Sequence, residues 1–151
     1  MTVFANGREA LKNAKRIVVK VGSSTITYPN GKRNFSQIDR LAREISDLQN
    51  QGKEMLLVTS GAVAVGVDRM GLPGKPTTIP GKQAAAAVGQ GVLMHTYEHF
   101  FADYGQVVAQ VLLTKTESID RHRYTNSRNT FMELLKQRVI PIVNENDVVA
   151  L

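Results

Sequence analysis

Short apolar runs alternate along the chain with longer segments in which apolar residues recur every three or four positions. Runs at 17–21, 54–60, 107–114 and 139–143 are rich in β-branched residues and predict four strands. They lack regular polar alternation, which is typical of strands buried on both faces. Pro141 lies within the last run and would remove one ladder hydrogen bond, so a central position for that strand would be unusual.

The segments between these runs have the spacing of amphipathic helices. Before the second strand, four apolar residues share one helical face: Ile38, Leu41, Ile45 and Leu48. Ser36, with Asp39 three residues later, predicts the cap that begins this helix, and Gly52 ends it. A further helix starts within SGAVAVG and is broken by GLPGKP.

Two more helices are predicted in the second half of the chain. A long one covers 82–104 and is closed by Gly105. Another would be capped by Thr125 or Asn126, and its apolar residues are Phe131, Leu134 and Leu135. Strands that alternate with helices indicate an α/β fold in which helices sandwich a mostly parallel sheet. Ligands of such folds bind at the carboxyl ends of the strands.

Composition narrows the class of protein. A chain of 151 residues corresponds to about one domain, and the absence of cysteine excludes disulfides and thiolate metal sites. The segment 1–16 carries charges where a signal peptide would need apolar residues, and no run has the length of a membrane span. We therefore expect a cytoplasmic protein with no membrane partner.

The charge balance favours anionic ligands, because the formal net charge is +6. The basic residues are scattered, and their densest cluster is RHRY at 121–124. Aromatic residues make up only 6% of the chain, which provides few platforms for stacking bases. We expect no nucleic-acid partner and interpret the basic residues as a solvated surface.

Residues suited to anions lie at the ends of the first two predicted strands and directly after them: Lys20, Gly22 and Ser23, then Ser60, Gly61 and Ala62. A lysine supplies a compact positive charge, and glycine lets backbone amides approach a ligand without a Cβ in the way. The second group lies at a predicted helix N-terminus, where the dipole favours a carboxylate or phosphate. A lysine that only reaches solvent and a simple helix cap are the structural alternatives.

The last predicted strand is followed by residues of the opposite character, in the segment NEND. Glu145 and Asp147 can hold an ammonium group or a metal, and Asn144 can orient a ligand. Taken alone, this segment could equally be a solvated turn. A pocket with anion donors on one side and carboxylates on the other suits an amino acid.

Other chemical motifs are absent or incomplete in the sequence. GLPGKPT lacks the spacing of a phosphate-binding loop, and GQGVLM does not follow a strand as the dinucleotide fingerprint requires. His95 and His99 lie four apart on one helix but lack the glutamate of metalloproteases, so surface or interface histidines remain the alternative to a metal site. We assign no metal ligand among the candidate residues.

Five segments, in this order and spacing, closely resemble the glutamate 5-kinase group of the amino acid kinase family: VVKVGSS, VTSGAVAVG, KQAAAAVGQ, AQVLLT and PIVNENDVVA. The resemblance implies ATP-dependent, Mg²⁺-assisted phosphorylation of the γ-carboxylate of L-glutamate to glutamyl 5-phosphate, the first step of proline biosynthesis. It implies that Lys20 contacts the transferring phosphoryl group and that Gly22 and Ser23 line the phosphates. Ser60 and Asp147 would bind glutamate, with their neighbours Gly61, Ala62, Asn144 and Glu145.

The resemblance begins near Arg16 and is still present in NENDVVAL, where the sequence stops. Members of the family continue into a glycine-aspartate-asparagine-aspartate motif and a nucleotide-binding half. We therefore expect residues 1–151 to be the amino-terminal, glutamate-binding part of an amino acid kinase domain, inactive alone. The family also implies feedback inhibition by proline and a homo-oligomer, either dimer or tetramer. A non-catalytic module that senses glutamate or proline is the alternative.

Overall fold

The computed structural model describes residues 7–147, except for the side chains of residues 117 and 118. Four parallel strands form one sheet in the order β1-β2-β4-β3: β1 Arg16–Val21, β2 Glu54–Thr59, β3 Val108–Leu113 and β4 Ile140–Glu145. The predicted α/β class and the parallel sheet are confirmed. The apolar end of the sequence, 148–151, lies outside the described residues.

The helices of the described chain separate these strands. Their bounds are α1 Gly7–Asn13, α2 Ser23–Ile26, α3 Phe35–Asn50, α4 Ala62–Met70, α5 Ile79–Asp103, α6 Thr116–Ile119 and α7 Arg121–Lys136. Both α4 and α3 pack against α5. Along the sheet, the step from β3 to β4 runs opposite to the steps from β1 to β2 and from β2 to β3. Because crossover connections between parallel strands are right-handed, α7 lies on the face opposite to α3, α4 and α5. Within residues 7–147 no helix, α5 included, is long and apolar enough to cross a membrane.

Two predicted helix starts were wrong, because a different polar side chain caps each helix. Asn34, not Ser36, begins α3, and its side chain accepts a hydrogen bond from the Gln37 amide at 3.2 Å. Asp120 begins α7 several residues before Thr125, since its carboxylate accepts the amides of His122 and Arg123. An ionised carboxylate is the stronger acceptor for two amides at a helix N-terminus.

The long helix α5 begins three residues earlier than predicted, at Ile79 instead of Lys82. The Thr78 hydroxyl caps it by accepting the Gly81 amide at 3.2 Å. Pro80 does not interrupt the helix, since it lies in the first turn, where its missing N–H has no partner to lose.

The sheet buries its two faces unequally. The core face carries Met55 and Leu57 of β2 and Ile142 of β4, each at most 1% exposed. On the other face of the edge strand β1, Val18 is 58% exposed, so the expectation that every strand is buried on both faces fails there. Pro141 does lie in a central strand, and the ladder between β2 and β4 begins only at Ile142, directly after it.

The backbones of α4 and α5 touch at two glycines. A Cβ added to Gly66 would lie 1.8 Å from the Ala85 carbonyl oxygen, and one added to Gly89 would lie 1.6 Å from the Ala62 carbonyl oxygen. Only glycine permits such an approach. The contact fixes the first turn of α4, and with it one wall of the site described next, against the long helix.

Candidate active site

The carboxyl ends of β1, β2 and β4 lie side by side, because these strands are neighbours in the sheet. A cavity of about 520 Å³ opens beside these strand ends. Four of the candidate residues line it: Ser23, Gly61, Ala62 and Asp147. The other five do not line it, and they are Lys20, Gly22, Ser60, Asn144 and Glu145. The structure thus brings together parts of all three predicted segments, whose roles stay predictions.

The first turn of α4 forms one side of the cavity, and its geometry suits an anion. Gly61 precedes the helix at φ +106°, and no side chain caps the amides that follow. This positive φ favours glycine, and a Cβ at Gly61 would also lie in a tight contact, 3.3 Å from Ile26 Cδ1. The first amides of α4 have no intrahelical acceptor, and they are available to a carboxylate or phosphate.

Ser60 ties the site to the sheet instead of lining the cavity. Its hydroxyl donates to the Val21 carbonyl at 3.4 Å, which joins the ends of β1 and β2. Ser60 is exposed, so it can still turn toward a ligand at the cavity's edge. The preceding residue, Thr59, points into the core.

A buried pair of hydroxyl groups supports the Ser60 turn from below, and the sequence analysis missed it. The hydroxyls of Thr59 and Tyr97 share a hydrogen bond of 2.7 Å, and Thr59 donates to the Ser60 carbonyl at 3.3 Å. Burial raises the pKa of Tyr97 to about 12, although the bond with Thr59 acts to lower it. Tyr97 therefore stays neutral and can donate to Thr59 while Thr59 donates onward.

The segment after β1 is more open than the rest of the site. Lys20 is exposed, and its side chain has no hydrogen bond or ion pair within the described chain. Gly22 precedes α2, the short helix that forms where a loop was predicted. A Cβ on Gly22 would meet no atom within 4 Å, so the space beside this backbone is free. A ligand could reach both residues from the exposed edge of the sheet.

The NEND segment is held by two neighbouring elements. Asn144 is 6% exposed, and its amide donates to Gln90 of α5 at 2.7 Å while its oxygen accepts the Glu145 amide. The sequence predicted that Asn144 and Glu145 follow the last strand. They belong instead to β4, because its ladder with β3 extends to Glu145. The Asn146 amide then bonds to the Leu113 carbonyl at 2.7 Å. These bonds bring the chain to Asp147 at the cavity.

The carboxyl of Asp147 lies in a setting that suits a cationic partner. Desolvation raises its pKa above the usual range, and the negative charge of Glu145 raises it further. An ammonium group placed beside it would favour the ionised form. Among the described residues, no three His, Cys, Asp or Glu side chains come close enough together to hold a metal ion.

Two loops that the sequence analysis did not assign to the site complete the cavity wall. One is 29–31, and its neighbour Lys32 pairs with Asp68 of α4 at 3.2 Å. The other is 72–75, in the connection between α4 and α5. GLPGKP was interpreted only as a helix breaker, because turn chemistry in the sequence does not show which cavity a turn borders.

The chain as a whole is similar to known proteins. Residues 15–151 match the model of the amino acid kinase family. A glutamate 5-kinase of Moorella thermoacetica is 59% identical over 143 residues, which are 95% of this chain and 38% of that protein. A glutamate 5-kinase of Clostridium tetani is 57% identical over 144 residues, which are 95% of this chain and 54% of that protein. The chain thus spans about half, or less, of the length of these curated relatives.

Proposed function

Because the chain belongs to the amino acid kinase family, we propose that it is the amino-terminal, glutamate-binding part of a cytoplasmic glutamate 5-kinase. The enzyme would transfer the terminal phosphoryl group of ATP to the γ-carboxylate of L-glutamate and so begin proline biosynthesis. The observation that carries this proposal is the cavity in which the first turn of α4 and Asp147 meet. An anion site and an anionic side chain in one cavity match an amino acid.

The reaction needs no general base. The reference pKa of a glutamate side chain is about 4.3, so the γ-carboxylate is already ionised at neutral pH and can attack phosphorus directly. Catalysis then depends on position and on neutralising charge. In this chain Lys20 would neutralise charge on the transferring phosphoryl group, and the α4 amides with Ser60 would orient glutamate.

The described residues fit the phosphates of ATP better than they fit a bound metal. Lys20 is an unpaired cation, and the backbone at Gly22 and Ser23 has open space beside it. Mg²⁺ usually keeps several waters and binds substrate phosphates with one or two carboxylates, where it neutralises phosphate charge. Asp147 lines the cavity, Glu145 lines a small neighbouring one, and either carboxylate could contribute one such contact. We do not assign the adenine-binding pocket to residues 7–147.

Regulation and assembly follow from the same proposal. Proline shares the α-amino acid zwitterion of glutamate without its γ-carboxylate, so we propose that it competes for an overlapping site. We propose that the enzyme is a homo-oligomer, for which α5 and its exposed Val88 offer apolar surface. Residues 1–151 alone would bind glutamate without phosphorylating it.

A hydroxylamine trap tests this proposal directly. Hydroxylamine converts an acyl phosphate to a hydroxamate, so γ-glutamyl hydroxamate reports the product. We expect it from a polypeptide extended to the length of the relatives when ATP, Mg²⁺ and L-glutamate are present, and none from residues 1–151. Absence of product from the extended polypeptide, with glutamate still bound, would instead establish the non-catalytic sensing module.

A further inference from the structure

We propose that Lys75 binds the α-carboxylate of the amino acid in the cavity and makes the enzyme selective for a free α-carboxylate. This inference rests on the proposed function and names a specificity-determining residue for it. Lys75 belongs to the loop 72–75, which contributes to the cavity wall. None of the segments that resemble the family contains it.

The charged side chains that line the cavity, among the described residues, are Lys75 and Asp147. An amino acid presents one ammonium and one carboxylate on the same carbon. A cation and an anion in the wall of one cavity are the complementary pair for those two groups. Asp147, as the anion of this pair, would hold the ammonium group, and Lys75 is then the charged residue of the wall that is left for the α-carboxylate, in addition to the α4 amides.

The charge of Lys75 is not used elsewhere in the described structure. Lys32 pairs with Asp68 at 3.2 Å, and Lys53 donates to the carbonyls of Lys12 and Ala14. Lys75 is exposed and forms no ion pair or hydrogen bond within residues 7–147. Its ammonium group is therefore free to meet a ligand.

The loop that carries Lys75 is fixed at both ends. Gly71 ends α4 at φ +68°, and the Leu72 amide bonds back to the Val67 carbonyl at 3.0 Å. At the other end the Thr78 hydroxyl caps α5. Because proline fixes φ, Pro73 and Pro76 further stiffen the loop on either side of Lys75. The backbone is held while the long side chain can reach the ligand.

The α-carboxylate is the better partner for Lys75 than the γ-carboxylate. The γ-carboxylate must meet the phosphoryl group beside Lys20, Gly22 and Ser23 at the end of β1, and of these three residues only Ser23 lines the cavity. Lys75 does line it, from the connection that follows α4. The two lysines therefore serve opposite ends of the substrate.

L-isoglutamine tests the assignment, because it keeps the γ-carboxylate and the ammonium but carries an amide in place of the α-carboxylate. We expect the extended protein to show a KM for L-isoglutamine at least about tenfold above that for L-glutamate. Lys75→Met should raise the KM for L-glutamate about tenfold, leave kcat within about twofold and abolish the discrimination between the two substrates. Lys75→Arg should retain part of the discrimination between L-glutamate and L-isoglutamine, because it keeps the positive charge.

Lys136→Met is the matched control, since Lys136 is an exposed lysine at the end of α7 and does not line the cavity. It should leave both KM values unchanged, which separates a local contact from the loss of one positive charge. Equal discrimination by wild type and Lys75→Met would overturn the inference while leaving the kinase proposal intact. If no product forms at all, calorimetric titration with L-glutamate and L-isoglutamine provides the test. The inference about Lys75 is overturned if Lys75→Met weakens the affinity for both ligands equally, or if neither ligand binds.

Discussion

The two sides of the site are built differently. On the side of α4 and α5, helix backbones touch at Gly66 and Gly89, and Tyr97 supports the Ser60 turn. On the side of β1, Lys20 is exposed and unpaired within the described chain, and Val18 beside it on the strand is 58% exposed. The side proposed to bind the amino acid is thus held in place by packing, whereas the side proposed to bind the phosphoryl group offers an unpaired charge and open space to a ligand.

The largest effect should come from the open side. Lys20→Met should lower kcat of the extended protein about 10²- to 10³-fold, because a charge contact at the reacting group is lost. KM for L-glutamate should change little, and the thermal midpoint of residues 1–151 should not change, since Lys20 has no partner in the described fold. A large rise in KM with kcat preserved would place Lys20 in glutamate binding instead.

Substitutions at the contact between α4 and α5 should change the free energy of unfolding. Gly89→Ala would place a Cβ 1.6 Å from the Ala62 carbonyl oxygen, so α4 or α5 must shift. We expect a loss of about 2–4 kcal/mol in the free energy of unfolding, measured by urea titration. Gly91→Ala is the control on the same helix, because its Cβ meets no atom within 4 Å. It should stabilise the protein by about 0.5–1 kcal/mol, and a similar cost for both variants would refute the contact.

A smaller effect is expected at the buried hydroxyl pair. Tyr97→Phe removes one partner of the 2.7 Å bond but leaves Thr59 its bond to the Ser60 carbonyl. The free energy of unfolding should fall by about 1–2 kcal/mol. If Tyr97 also positions the turn, L-glutamate affinity should fall further than stability alone explains. Unchanged affinity would confine Tyr97 to a stabilising role.

The smallest effect concerns the ionisation of Asp147. Its pKa is raised in the folded protein by desolvation and then by Glu145, so the folded state favours the protonated form. That contribution to stability is present below the unfolded pKa and is lost as pH rises through the folded one. Asp147→Asn should therefore raise the thermal midpoint slightly at pH 7 and not at pH 3. The gain in the free energy of unfolding at pH 7 should stay below about 1 kcal/mol, given solvent screening. A lower midpoint at pH 7 would show that the charge is stabilised.

Much of the fold could be predicted because it follows from local patterns. The strands follow from their apolar runs. Helix ends follow from glycines 52, 71 and 105, each of which has a positive φ in the structure. The starts of α3 and α7 could not be predicted, because the sequence offers two acceptable caps at each. They are Asn34 and Ser36 for α3, and Asp120 and Thr125 for α7. The choice depends on the tertiary structure around each helix start and, at α7, on the Asp120 carboxylate, which accepts two amides.

The candidate site shows the same division. Residues next to strand ends were found because parallel strands bring their carboxyl ends together. Gln90, Tyr97 and Lys75 were missed, since each reaches the site from a distant segment through tertiary packing or a loop path. KQAAAAVGQ marked Gln90 only as part of a resemblance, and the 2.7 Å bond to Asn144 gives it a physical reason.

We propose that residues 1–151 form a preorganised pocket for an acidic L-amino acid. The most direct test of this claim is the thermal midpoint of this chain, titrated separately with L-glutamate, D-glutamate and L-proline. Ligand at a hundred times its dissociation constant should add about 2.7 kcal/mol of stability, which is a visible shift. We expect L-glutamate and L-proline to raise the midpoint and D-glutamate to leave it unchanged. A cooperative transition that no ligand shifts, or that both enantiomers shift equally, would contradict the claim.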